Sequence, residues 1–367
     1  MNANLLKPPL RLKGLFPREI SAVLRVIVMG SGLILGLLMT SVFSQSTSTV
    51  PEGMITYTVA AGTISSPKLT TFSLPLTESA AFSGTVSGVT SNTLSAVNPG
   101  WRVSAYSSPD SPFGVRFTTG ALTGETYLIS TTTPSTVNTV TVTNDGGSLV
   151  NGAQVGDQFE IFPCDTLLSF FGSGTSTGDQ AVLAGTRTTA DEVSMVQNGT
   201  WTTYYFDSTA HQWRSGTLPF NCGNTVVSSD AGVVYNRRAS TPYTFSVIGR
   251  VSGIDRQISY NTSGVSFIGT GFPKDLTLRE LGLNLKIAGW INKVGSATSG
   301  FDQIGVYDGS VWNYYSFDGS SGQWRKGTLP FNMSNVVISV GNPILIQKSN
   351  GTLGVGTIQI PIPYSLN

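Results

Sequence analysis

The chain has 367 residues, enough to bury a sizeable core in two or three domains. Only 11% of them are charged and the net charge is +1, so no basic stripe is present to neutralise a nucleic-acid backbone. With 40% hydrophobic residues, 42 glycines and abundant Ser and Thr, the composition excludes a disordered chain and points to β-structure with many turns.

The positive charge is concentrated at the start. Lys7, Arg11, Lys13, Arg18 and Arg25 stand against Glu19 alone, which leaves 16 of the 21 basic and 19 of the 20 acidic residues for the remainder. An apolar run from Val26 to Met39 comes next, then Ser-Val-Phe-Ser44-Gln. This is the layout of a secretory signal over residues 1–44, with cleavage expected after Ser44 and Ser46 as the alternative. The competing reading is an uncleaved anchor, because residues 26–43 form an 18-residue apolar stretch near the lower limit for spanning a bilayer. In both readings the rest of the chain leaves the cytoplasm, the expected location is secreted or cell envelope, and membrane contact runs only through this segment.

Residues 45–164 read as an N-terminal β domain. Short apolar or β-branched runs at 54–60, 83–89, 113–118, 125–130 and 137–143 are separated by Gly, Pro, Asn and Ser clusters, with Asn144-Asp-Gly-Gly147 as a turn. That spacing predicts a sandwich or small barrel.

An internal duplication organises the C-terminal half of the chain. At a constant offset of 111, Asp191 matches Asp302, Trp201 Trp312, Tyr204 Tyr315, Phe206 Phe317, Asp207 Asp318, and Gln212-Trp213-Arg214 matches Gln323-Trp324-Arg325. Both copies then read Gly-Thr-Leu-Pro-Phe-Asn, at 216–221 and 327–332. Upstream, at an offset of 110, Asp165 to Gly172 aligns with Asp275 to Gly282, and each stretch predicts one short helix with Asp as its N-cap and Gly past its end. A third match, Gly84-Thr-Val-Ser-Gly-Val89 with Gly249-Arg-Val-Ser-Gly-Ile254, implies about 55 extra residues in the first copy, near 95–160. The expected fold is therefore all-β: sandwich or small-barrel modules with an internal duplication and one short helix per copy. Copy A is assigned to 165–248, copy B to 249–348, and a proline-bearing C-terminal edge strand to 349–367. Tyr204, Phe206, Tyr315 and Phe317 share the faces expected to be core; Trp201 and Trp312 point the other way.

These residues carry a resemblance. The apolar leader, Phe82-Ser-Gly-Thr-Val, Val155-Gly-Asp-Gln-Phe-Glu-Ile-Phe-Pro163, the Tyr/Phe plus Trp-Arg hairpin and Asn236-Arg-Arg resemble an uncharacterised family of secreted, often paralogous proteins of Verrucomicrobia-type bacteria. The resemblance implies export and a β-rich body, and it brings no known activity, cofactor or catalytic residue.

Candidate chemistry is sparse. His211 is the only histidine, lies in a turn and matches Gly322, so a zinc site of the usual ligand type is not expected. Gly174-Thr-Ser-Thr-Gly178 has the spelling of a nucleophile elbow but sits in a Gly/Ser/Thr run. Asp191/Asp302 and Asp207/Asp318 recur, as paired carboxylates of a polysaccharide hydrolase would need, but a shared turn or capping role explains recurrence equally. Asp308 and Asp318 lack EF-hand spacing for calcium. Cys164 and Cys222 could close a disulfide loop of 58 residues in an oxidising compartment, or stand as two isolated thiols. The aromatics lead: Trp201, Trp213, Trp312, Trp324, Tyr205 and Tyr314 place large rings on paired hairpins, where exposed rings stack on glycans or anchor a protein partner and covered ones fill a core or the boundary between copies. The expected function is an exported non-catalytic structural or binding protein of the cell surface or extracellular matrix. Its expected partners are a glycan, other surface proteins or further copies of itself, with no nucleic acid and no cofactor; the alternative is a secreted polysaccharide hydrolase.

Overall fold

β-branched and aromatic runs punctuated by Gly, Asn and Pro fold into antiparallel ladders throughout the computed structural model, which describes residues 51–143, 148–197, 199–352 and 354–365. The expected signal at 1–44 and the turn at 144–147 lie outside the described residues. In chain order, β1 (Glu52–Val59) and β2 (Lys68–Ser73) precede a run of six: β3 (Phe82–Val89), β4 (Thr93–Ala96), β5 (Phe113–Phe117), β6 (Thr126–Leu128), β7 (Thr139–Thr141) and β8 (Gln158–Pro163). Next come α1 (Leu167–Phe171), β9 (Glu192–Gln197), β10 (Thr200–Asp207), β11 (Gln212–Ser215), β12 (Gly232–Arg237) and β13 (Tyr243–Arg250). The last part holds β14 (Arg256–Asn261), β15 (Gly264–Ile268), β16 (Leu276–Thr277), α2 (Leu278–Leu281) and α3 (Leu283–Lys286). It ends with β17 (Gln303–Tyr307), β18 (Trp312–Asp318), β19 (Gln323–Lys326), β20 (Val337–Ile338), β21 (Ile344–Lys348) and β22 (Val355–Ile360). The protein is all-β apart from these short helices.

Two five-stranded sheets have the same plan, β11-β10-β9-β12-β2 and β19-β18-β17-β21-β15. Their registers agree residue for residue. Tyr204 faces Val193 and Phe206 faces Trp213 in the first; Tyr315 faces Ile304 and Phe317 faces Trp324 in the second. Each sheet has a companion ribbon, β1 with β13 and β14 with β22. Pro361 and Pro363 fall just past β22, where no ladder N–H is needed.

The strands correct the upstream correspondence. Gly84 lies in β3 of a separate six-stranded sheet, β6-β5-β8-β3-β4-β7, whereas Gly249 lies in β13, paired with β1. The counterparts of β14 and β15 are β1 and β2. The extra residues of the first part are therefore the whole six-stranded sheet: Ser73 and Leu167 are 94 positions apart, against 10 from Ile268 to Leu278. The short likeness misled because a few small and β-branched residues suit the end of any strand.

The helix expectation also needs correction. Thr166 and Thr277 cap the helices rather than Asp165 and Asp275; each closes a capping box, with Ser169 and Glu280. Asp275 instead accepts the Val340 N–H at 2.8 Å. The second part carries two helical turns, not one, because Gly282 in the left-handed region (φ 56°) ends α2 and starts α3.

Each sheet has its own core. Tyr204, Phe206, Trp213, Tyr235, Phe171 and Phe72 fill the first. Tyr315, Trp324, Ile304, Ile346, Leu278 and Phe272 fill the second, with Phe317 packed partly buried against it. Leu94, Val115, Phe117 and Ile161 fill the six-stranded sheet. Among the described residues no helix is long and apolar enough to cross a membrane, which says nothing of strands.

Candidate functional site

The six aromatics separate by face. Trp213 and Trp324 are 0% and 1% exposed, so they are core residues and not ligand platforms; the Trp213 indole N–H donates to the Gly172 carbonyl at 3.0 Å. Tyr205 is buried too, and its counterpart is Ser316 rather than Tyr314. Tyr314 is half-buried across Gly305, where a Cβ would meet its ring at 3.0 Å. Trp201 is 42% exposed and tilts against Phe267 of β15, ring centroids 5.3 Å apart. Phe267 also meets Trp312 edge-on at 5.7 Å, and Tyr307 covers Trp312 from across the strand. Trp201 and Trp312 thus converge on one ring, and of these six Trp201 presents the most surface.

The recurring acids are structural. Asp191 and Asp302 are fully buried, paired at 2.6 Å with Arg237 and Lys348. Asp191 also accepts the N–H groups of Leu183 and Arg238 and the Tyr235 hydroxyl. Asp302 accepts the N–H groups of Ile291 and Ser349. Each acid pins the loop after the helix to the end of a strand. Asp207 and Asp318 close the hairpin turns, accepting backbone N–H groups two residues on. In those turns His211 and Gly322 occupy the same left-handed position (φ 52° and 65°), which glycine adopts freely and which the histidine holds in an unchanged backbone path. Asp308 accepts from Ser310, Val311 and Asn313, a turn separate from that of Asp318. Among the described residues no three His, Cys, Asp or Glu side chains converge. Ser176 sits in an exposed loop between α1 and β9, without the strand and helix of an elbow.

Cys164 and Cys222 are free thiols. The antiparallel bridge between Thr166 and Val226 places them at its opposite ends, out of reach of a disulfide. Burial, then Asp165 and Glu78, pushes the Cys164 thiol up to about 12, which keeps it unreactive.

Two features were missed. The first is the matched Gly-Thr-Leu-Pro-Phe-Asn loops. Gly216 and Gly327 (φ 60° and 58°) make the turn, and the Asn221 and Asn332 carboxamides accept N–H groups two residues on. The apolar side chains have no such role: Leu218 and Phe220 are 55% and 67% exposed, Leu329 and Phe331 46% and 62%. The signal was in plain view as an identical hexapeptide, read only as a mark of duplication.

The second is the junction of the three sheets. A cleft of about 270 Å³ opens between β6, β9 and the turn before β12 on one side and β14 and β15 on the other. In its wall Asp230 pairs with the buried Arg256, and Glu125, next to the lining Thr126, is 3% exposed. Burial pushes the Glu125 carboxyl up to about 7; the Tyr127 hydroxyl opposes the shift by hydrogen bonding and the charge of Asp230 adds to it. Glu160 joins Arg116 and Arg250 at 2.6 and 3.3 Å, linking the six-stranded sheet to β13. Burial raises the Glu160 carboxyl, but the two guanidiniums outweigh it and hold the group below the usual range. No sequence period marks this junction.

No family model, no curated protein and no solved structure matches the chain.

Proposed function

We propose that this is an exported, non-catalytic structural or binding protein of the cell surface or extracellular matrix, built on a duplicated β framework and engaging a glycan or another surface protein through exposed apolar and aromatic side chains. The basic flank and apolar run at the N-terminus support export. The observation that carries the binding reading is the pair of matched loops. Leu218/Phe220 and Leu329/Phe331 project from equivalent turns whose geometry needs only the Gly and Asn. Large apolar side chains kept in water at two matched sites mark contact surfaces, and two contacts on one chain raise avidity for a repetitive target.

Co-sedimentation of the purified protein with cell-wall or matrix material tests it. Replacing Leu218, Phe220, Leu329 and Phe331 together by Ser should abolish sedimentation at unchanged melting temperature. Undiminished sedimentation would remove the loops from the function.

A second reading, a hydrolase acting on polysaccharide through paired carboxylates, draws on Glu125 and Asp230, an acid with a raised pKa beside a second carboxylate near a cleft. It predicts release of reducing ends from a polysaccharide and loss of that release in both Glu125→Gln and Asp230→Asn.

A further inference from the structure

We infer that the cleft at the junction of the three sheets binds a neutral saccharide of one or two rings, with Trp201 as its rim. The inference rests on the reading of the protein as a binder and names a ligand for a site the loops do not form.

Size comes first. About 270 Å³ falls just below the roughly 300 Å³ at which sites for drug-sized ligands begin, so only a small ligand fits. The lining then sets the chemistry. Asp230 is its only charged side chain, and its carboxylate is matched by Arg256 behind it. An anionic ligand would find no cation at the surface of the cleft. A cation would find a carboxylate already paired.

Apart from Asp230 the polar groups of the lining are neutral, and they offer acceptors and donors together. The Gln257 side-chain N–H donates to the Ala121 carbonyl at 2.7 Å, and that of Asn261 to the Val265 carbonyl at 2.8 Å. Their amide oxygens make no hydrogen bond among the described residues, nor do the second Asp230 oxygen and the Ser259 hydroxyl. Each amide keeps a second N–H and the Ser259 and Ser266 hydroxyls can donate, so a ligand that matches this mixture in a small space must bring groups that both donate and accept without charge, which is the chemistry of a polyol ring.

The apolar wall completes the match. Phe267 and Val196 line the cleft; Val196 is the cross-strand partner of Trp201, and Phe267 supports the Trp201 ring. A Cβ at Gly199 would lie 3.6 Å from the Asn261 amide, so Gly199, just before β10, stands directly beside the polar lining. An aromatic ring beside converging acceptors and donors suits a sugar, whose C–H face packs on the ring while its hydroxyls donate and accept. In the second sheet Tyr307 stands where the first has Val196 and packs on the matching Trp312, which accounts for a site on one side only.

Calorimetric titration of the full-length protein with cellobiose, maltose and N,N′-diacetylchitobiose, with glucuronic acid as the anionic control, tests the inference. At least one neutral disaccharide should bind with a Kd of about 1 mM or tighter. Trp201→Ala, which removes a half-exposed ring, and Ser259→Leu, which narrows the cleft, should each weaken it at least about tenfold. Absence of binding by all three disaccharides, binding that neither substitution weakens, or tighter binding of glucuronic acid would each overturn it. Sedimentation with surface material, measured on the same preparation, separates the two ideas. Loop-dependent sedimentation without disaccharide binding sinks the cleft and leaves the binding-protein reading standing, whereas failure of both sinks both.

Discussion

The two five-stranded sheets follow one path with one register, yet they differ in how they are locked and in what they leave bare. In the first, Asp191 holds Arg237, whose guanidinium also reaches the carbonyls of Ala181, Thr241 and Gly178. In the second, Asp302 holds Lys348, whose ammonium also donates to the Gly289 carbonyl and stands over the Trp290 ring. The carboxylate is kept and the cation varies, because two backbone N–H groups need an acceptor in both sheets while any buried cation balances the charge. Matched residues that lock both sheets are framework, and matched residues with no such task are left for contact with something else.

Breaking the locks should produce the largest effects. Asp191→Ala and Asp302→Ala each leave a buried cation and backbone donors without a partner, and each should destabilise the protein by about 3–5 kcal/mol in denaturant unfolding. The loss should be greater for Asp191, which also serves the buried Tyr235 hydroxyl, whereas the hydroxyl on Asp302 belongs to the exposed Ser349. Trp213→Ala and Trp324→Ala, both fully buried, should cost about 3–5 kcal/mol alike, since their cavities are equivalent.

Only the first sheet is interrupted by the six-stranded sheet, and Glu125 provides a probe of that addition. Its folded pKa of about 7 lies above the ordinary 4.5, so the folded protein keeps a proton that the unfolded chain releases. Stability should therefore fall as pH rises through that window. Glu125→Gln should raise the melting temperature at pH 8 and leave it unchanged at pH 4; a pH-independent effect would mean that ionisation of Glu125 is not what strains the junction. Smaller again are the turn acids: Asp207→Ala and Asp318→Ala should each cost about 1 kcal/mol. The smallest effect belongs to the exposed loops, where Phe220→Ser and Phe331→Ser should change stability by less than about 0.5 kcal/mol while altering binding.

Much of the framework was legible in the chain. Alternation in Trp201–Phe206 placed Tyr204 and Phe206 inward, and the offset of 111 anticipated a common register. The prediction of binding residues was weaker for a definite reason. Alternation says that Trp213 and Trp201 lie on strands, but exposure depends on what packs on each ring; Phe206 reaches Trp213 from within its hairpin, whereas Phe171 and Phe267 reach Trp213 and Trp201 from distant parts of the chain. The cysteines stayed open between a bridge and two thiols for a similar reason, because spacing carries no information on which end of a ladder each one occupies.

By itself the sequence determined the β character, the turns and the paired strands, all set by local preferences and short-range hydrogen bonds. Tertiary structure alone decided that six strands enter between β2 and α1, that Trp201 stays open while Trp312 is covered, and that Asp230, Gln257 and Asn261 border one cleft. Those facts depend on contacts between residues tens to hundreds of positions apart, which the order of side chains along a strand does not encode.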